Sequence, residues 1–177
     1  MQRLVNATLL CEYRDRDAFR GFVPATISHR REKAEMIGIS DKIDPPNMCK
    51  SATLGRPNKT ATITGDGNCY FRALSYVLTG SQKYHLKLRD YIVDKMCSPE
   101  LSSRLEGYLG ENLEVYMPRS QIALVGTYAT DAEILATACT LDFDVEVYSK
   151  WGEQLVWQRY GRDFGTGKEE TKMVPYT

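Results

Sequence analysis

The stretch Thr64-Gly65-Asp66-Gly67-Asn68-Cys69-Tyr70-Phe71-Arg72-Ala73-Leu74-Ser75-Tyr76-Val77-Leu78 puts a cysteine at the mouth of a helix. Upstream, Ala61-Thr62-Ile63-Thr64 is short and β-branched, which predicts a buried strand. Downstream, Tyr70, Ala73, Leu74, Val77 and Leu78 recur at the spacing of one helix face. Gly65 and Gly67 suit a tight turn, Asp66 favours turns, and Asn68 is a preferred N-cap, so Cys69 is expected as the first helical residue. At that position the unpaired N–H groups and the helix dipole favour a thiolate, and the same amides can receive an oxyanion. Two readings of Cys69 follow: a nucleophile, which needs both of these features, or a core cysteine beside a strand-to-helix turn.

The 177 residues carry 23 Lys plus Arg and 23 Asp plus Glu, so the net charge is zero and no broad basic field points to a nucleic-acid partner. No apolar run is long enough to span a membrane, and the N-terminal stretch lacks a small-residue cleavage site. The expectation is an intracellular chain. Cys11, Cys49, Cys69, Cys97 and Cys139 are odd in number and irregular in spacing, with no C-x-x-C pair. That argues against a disulfide framework and against a structural zinc site.

Residues 1 to about 44 mix charges of both signs, and Ser28 to Met36 is expected as a short, mostly solvated helix with His29 at the surface. Asp44 to Thr60, rich in proline and glycine, reads as a linker. Beyond Thr79-Gly80, Ser81 can cap a helix whose buried stripe is Tyr84, Leu88, Tyr91, Ile92 and Met96, ending at Ser98-Pro99. His85 lies beside that stripe, as a partly buried structural histidine or, if the two helices form a hairpin, as a neighbour of Cys69. Leu101, Leu105, Tyr108 and Leu109 mark a third helical segment, continued by Leu113, Tyr116 and Met117 up to Pro118. Gly126 to Ala129 is a loop, and Thr130 to Glu133 has capping-box spacing ahead of a helix with Ile134, Leu135, Ala138 and Leu141 inward. Phe143, Val145 and Val147 then alternate with polar residues, as a strand with one buried face. A turn at Lys150-Trp151-Gly152 leads to a second strand from Glu153 to Tyr160, antiparallel to the first. Gly161 to Lys172 is a loop, and Met173 to Tyr176 approaches another element.

Asp66-Gly67-Asn68-Cys69-Tyr70-Phe71-Arg72-Ala73 closely resembles the cysteine box of the OTU (ovarian tumour) family of papain-like cysteine proteases. Gln82, His85, Leu88 and Arg89, the glycine loop before Glu133, and the strand ending Val147-Tyr148 follow in the family's order, so the resemblance covers about residues 60 to 177. It implies an α+β, papain-like fold: a small, mostly antiparallel sheet from residues 143 to 177, joined by the strand before Cys69, with helices around it. The expected organisation is an N-terminal extension and linker over 1–50 and a protease domain over 51–177. The implied activity is an isopeptidase removing ubiquitin, or a ubiquitin-like protein, from lysine side chains, in a cytoplasmic or nuclear monomer. Carried over residue by residue, Cys69 is the nucleophile and Asp66 the motif's acidic catalytic residue, while the backbone of Asp66, Gly67 and Asn68 helps form the oxyanion hole. Thioester chemistry needs no metal or organic cofactor.

One departure is plain: the family's general base is a histidine in a strand expected after Val174-Pro175-Tyr176-Thr177, and this chain has only His29 and His85. Truncation before that strand is the expectation, with a degenerate homologue as the competing explanation. Tyr128 and Val125 also replace the tryptophan and second glycine that many relatives carry in the glycine loop. Three functions are therefore carried forward: a thiol deubiquitinase that is weak or inactive as given, a catalytically dead ubiquitin-binding module, and a viral or transposon-type protease that cleaves a polyprotein.

Overall fold

The computed structural model describes residues 7–13, 21–47, 52–53, 61–151 and 153–166. Three short strands, β1 (Ala7–Tyr13), β2 (Gly21–Pro24) and β3 (Ala52–Thr53), flank the first helix, α1 (Ile27–Met36). Next come α2 (Cys69–Thr79), a 3-10 turn at Gln82–Tyr84, α3 (His85–Met96), α4 (Pro99–Leu109), α5 (Leu113–Ser120) and α6 (Asp131–Leu141). The chain then enters β4 (Asp144–Trp151) and β5 (Gln154–Tyr160). The strands form one sheet in the order β3-β2-β1-β4-β5, every pair antiparallel, so the α+β architecture with a small antiparallel sheet is as expected.

The composition of that sheet differs from the sequence expectation. Residues 61–65 form no strand, and the neighbour of β4 is β1, in register from Ala7 opposite Tyr148 to Cys11 opposite Asp144. A short β-branched run carries strand propensity without a partner, and here tertiary context gives the ladder to another segment. The second difference lies in β4 itself. Phe143, Val145 and Val147 are buried as the alternation requires, but so are Asp144 and Glu146 on the opposite face, so both faces are covered over this stretch. Asp144 tolerates this because Arg159 Nε and Nη2 reach its Oδ2 at 3.0 and 2.9 Å and the Arg162 amide donates to its Oδ1 at 3.1 Å.

Helix boundaries follow their chemical punctuation. Gly80 closes α2 with φ +81°, and an added Cβ there would stand 2.1 Å from the Asp44 carbonyl oxygen, so only glycine fits. Pro99 sits in the first turn of α4, where its missing N–H costs nothing. Gly110, also left-handed, separates α4 from α5 where a continuous helix was expected, and α5 runs through Pro118 to Ser120. Lys150 and Trp151 belong to β4, not to the turn expected at 150–152; the expected elements within 167–177 lie outside the described residues.

The core joins Phe71, Leu74 and Leu78 of α2, Leu88, Ile92 and Met96 of α3, and most of α6 to Phe143, Val145 and Val147. Segment 25–39 is built into the same core through Ala25, Ala34, Ile37 and Ile39. Arg30, expected on a solvated helix, is 1% exposed, and its Nη1 donates to the carbonyls of Pro46 and Val77 at 2.9 and 2.8 Å. It thus pins α1 and the 44–46 strap to the end of α2. His29, expected at the surface, packs its ring 4.5 Å from that of Phe143. No helix among the described residues is long and apolar enough to cross a membrane.

Candidate active site

Residues 61–65 reach α2 without a strand ladder, and a side-chain amide replaces it. Gln82 Nε2 donates to the Thr62 carbonyl at 2.8 Å, and its Oε1 accepts from the Thr64 amide at 3.2 Å. The turn that follows is closed by Asp66, whose Oδ1 accepts from the Asn68 amide at 3.1 Å. Arg72, one turn into α2, reaches back: its Nε lies 3.1 Å from both carboxylate oxygens, and its Nη2 donates to Oδ2 at 2.6 Å. That guanidinium holds Asp66 well below the usual carboxylate range, so Asp66 is ionised at neutral pH and braces the turn. Arg72 Nη1 also meets His85 Nδ1 at 3.3 Å, and the same ring nitrogen lies 2.9 Å from the Gln82 carbonyl. His85 is therefore part of this brace.

On the opposite side the turn is pressed against a second loop. Gly67 has φ +81° and Gly126 φ +88°. A Cβ built on Gly67 would lie 1.8 Å from the Gly126 carbonyl oxygen, inside any van der Waals limit. Two glycines facing each other let the backbones touch, which places the Gly126–Thr130 loop directly against the cysteine turn. Asn68 locks the contact, its Oδ1 accepting from the Gly126 amide at 2.9 Å.

Arg89 of α3 completes this arrangement from within the core. It is fully buried, stacked 4.5 Å from the Phe71 ring centroid. Its Nη2 donates to Asn68 Oδ1 at 2.9 Å and to the Thr127 carbonyl at 2.7 Å, and its Nη1 donates to the Ile122 carbonyl at 2.6 Å. One planar fork thereby fixes both loops to α3.

Asn68 stands where the sequence expects an N-cap, yet it makes no side-chain cap bond: its backbone, at φ −98° and ψ 10°, is not the extended one a capping residue adopts, and its oxygen is held by Arg89 and Gly126. The amides of Cys69, Tyr70 and Phe71 meet no acceptor among the described residues. Three open N–H groups at a positive helix end form an anion-receiving cradle beside a sulfur. Cys69 occupies the first position of α2 and is half-buried, at the surface edge of the core. Of the backbone positions assigned by resemblance, Gly67 carries the loop contact, and the Asn68 amide is already engaged by Asp66.

The second loop is anchored by α6. The Thr130 hydroxyl accepts from the Ala132 amide at 3.3 Å, while Glu133 Oε2 accepts from the Thr130 amide at 2.6 Å, so the expected capping box is present. Glu133 is fully buried, its Oε1 accepts from the Tyr116 hydroxyl at 2.8 Å, and burial pushes its carboxyl above the ordinary range. Sequence reading named Gln82, Arg89 and Arg72 as part of a pattern without giving any of them a task. A buried arginine among apolar helix positions is a signal of paired carbonyls, but its partners, 33 and 38 residues away, are invisible in one dimension.

Comparison with known proteins identifies a family. The model of the OTU-like cysteine proteases matches residues 64–176. Over 111 residues the chain is 30% identical to OTU domain-containing protein 3 of Mus musculus, a match that covers 63% of this chain and 27% of the relative. The chain thus spans about a quarter of that relative's length. No solved structure matches it.

Proposed function

The chain belongs to the OTU family of cysteine proteases, and we propose that it is a ubiquitin-directed thiol isopeptidase with Cys69 as nucleophile. The observation that carries the reading is the half-buried Cys69 sulfur at the first position of α2, beside amides left open by the diversion of Asn68. In this reaction the Cys69 thiolate attacks the isopeptide carbonyl, and negative charge moves to the carbonyl oxygen and is received by the open amides. The lysine amine departs with a proton taken from solvent water, leaving a thioester; a second water then hydrolyses the thioester to the ubiquitin carboxylate and the free cysteine sulfur. Asp66 supports the reaction by holding the turn through Arg72 and the Asn68 amide, as an ionised brace.

A second reading, a ubiquitin-binding module without turnover, draws on the histidines. The ring of His85 faces Arg72 and the Gln82 carbonyl, and that of His29 packs on Phe143, so each already has a structural setting. Loss of one member of a catalytic triad typically costs several orders of magnitude in rate. Incubation of the 177-residue chain with isopeptide-linked di-ubiquitin separates the readings. Slow hydrolysis that disappears in Cys69→Ala supports the isopeptidase. Binding with no hydrolysis at any enzyme concentration supports the module. Hydrolysis retained in Cys69→Ala would show that the nucleophile is misassigned.

A further inference from the structure

An asparagine at a helix start ordinarily folds its side chain over the second or third amide and caps it. Asn68 has the position and the side chain to do so, but its backbone, at φ −98° and ψ 10°, is not the extended one that capping uses, and it does not. Its Oδ1 is held by two donors at 2.9 Å each, the Arg89 guanidinium and the Gly126 amide, and its Nδ2 is 3.4 Å from the Asp66 carbonyl. Asn68 is itself 3% exposed, so its side chain lies inside the loop contact. Arg89 is the only charged group among these partners, and it reaches Asn68 from the core, where a lone guanidinium is costly unless paired. The Nη atoms of Arg89 are engaged by three oxygens only while both loops are in place, and its buried Nε meets no acceptor among the described residues.

We propose that Arg89 is a positioning residue that keeps the anion cradle at the start of α2 open, by holding Asn68, through its side chain, in the non-extended backbone from which it cannot cap, and by tying it to the Gly126–Thr127 backbone. This rests on the reading of those amides as the oxyanion-receiving group. Arg89 touches neither the sulfur nor the carbonyl under attack; it acts through Asn68. A guanidinium is required because Nη2 must serve Asn68 and Thr127 together while Nη1 holds Ile122. The compact ammonium of a lysine cannot span all three acceptors in the plane of a fork.

The test measures the cradle without ubiquitin. Cys69 is alkylated with iodoacetate, which brings a carboxylate, and with neutral iodoacetamide, and the ratio of the two rates is divided by the same ratio at the exposed Cys97, read by peptide mass. In the unsubstituted chain the normalised ratio is expected to favour iodoacetate. In Arg89→Lys, which keeps the buried charge, it is expected to fall about fivefold as Asn68 swings back to cap the helix. Adding Asn68→Ala to Arg89→Lys removes the capping group and is expected to restore the ratio, which a loss of packing would not do. An unchanged ratio in Arg89→Lys, or a ratio that the second substitution fails to restore, overturns the proposal. Should Arg89→Lys fail to fold, hydrogen exchange at the Tyr70 and Phe71 amides of the unsubstituted chain decides: unprotected amides support the open cradle, and protection of either refutes it. Absence of any iodoacetate preference at Cys69 in the unsubstituted chain would instead count against the oxyanion reading itself.

Discussion

Gly67 meets Gly126 across a gap that leaves no room for a methyl group. A Cβ at position 67 would stand 1.8 Å from a backbone oxygen, which has no flexible end to move aside, and the residue's φ of +81° is itself unfavourable for any L side chain. The left-handed backbone and the overpacking together cost about 2–4 kcal/mol. Gly67→Ala is therefore expected to lower stability by that amount in urea denaturation and to abolish isopeptide hydrolysis by separating the two loops. Gly65, with nothing within 4 Å of its built Cβ and no left-handed φ, should accept alanine with little change in stability. Equal effects at the two glycines would contradict this account. The distinction was not legible in the sequence, where both residues read as turn glycines. Local composition gives the need for a turn, but only the partner loop, about sixty residues away, shows which glycine is indispensable.

Among the elements, α6 was the most legible, because its signals are local. A capping box four residues wide, Thr130 to Glu133, and an apolar pattern starting at Ile134 define it without reference to anything distant. The start of α2 was legible for the same reason, and Cys69 is its first residue as expected. What failed at that same end was the use of Asn68 as a cap, since residue preference describes an isolated helix and Arg89 arrives from another one. The strand expected at 61–64 failed likewise: propensity was present, but a ladder needs a second strand, and Gln82 supplies only one side chain's worth of pairing. The cap of α6 has a pH signature. Burial raises the native pKa of Glu133 above its ordinary value of 4.5, so the folded state holds this proton more tightly than the unfolded state. The stability it contributes is fully present below about 4.5 and is lost as pH rises through the elevated native value. Asp66 runs the other way, its pair with Arg72 contributing above the unfolded value of 3.8 and fading as pH falls. Subtracting the urea midpoint of Glu133→Gln from that of the unsubstituted chain at each pH cancels the Asp66 contribution. The difference is expected to shift against the unsubstituted chain as pH rises above about 4.5; a flat difference would show that Glu133 titrates normally.

At the scale of the whole molecule, the N-terminal segment changes meaning once the sheet is seen. The sequence suggested an extension and linker whose role could not be read, because it mixes charges of both signs with scattered apolar residues. In the structure β1 lies between β2 and β4, Arg30 pins α1 to the end of α2, and Ile37 and Ile39 are buried in the common core. Large buried aliphatic side chains contribute roughly 2–5 kcal/mol each, against a total stability of about 5–15 kcal/mol for an ordinary domain. Deletion of residues 1–47 is expected to abolish cooperative thermal unfolding, and a truncated chain that melts sharply near the temperature of the parent would refute that integration. The site depends on this larger frame only indirectly, through the helices that carry Cys69 and Arg89.

The central claim, that Cys69 is the nucleophile of a ubiquitin-directed site, is tested most directly by treating the chain with ubiquitin bearing a C-terminal thiol-reactive group and locating the adduct by peptide mass. Among the described cysteines, exposure alone would favour Cys97, which is open to solvent while Cys69 is half-buried. A single adduct at Cys69, lost in Cys69→Ala, is the result expected here; labelling at Cys97 in preference, or no adduct at all, would contradict the account.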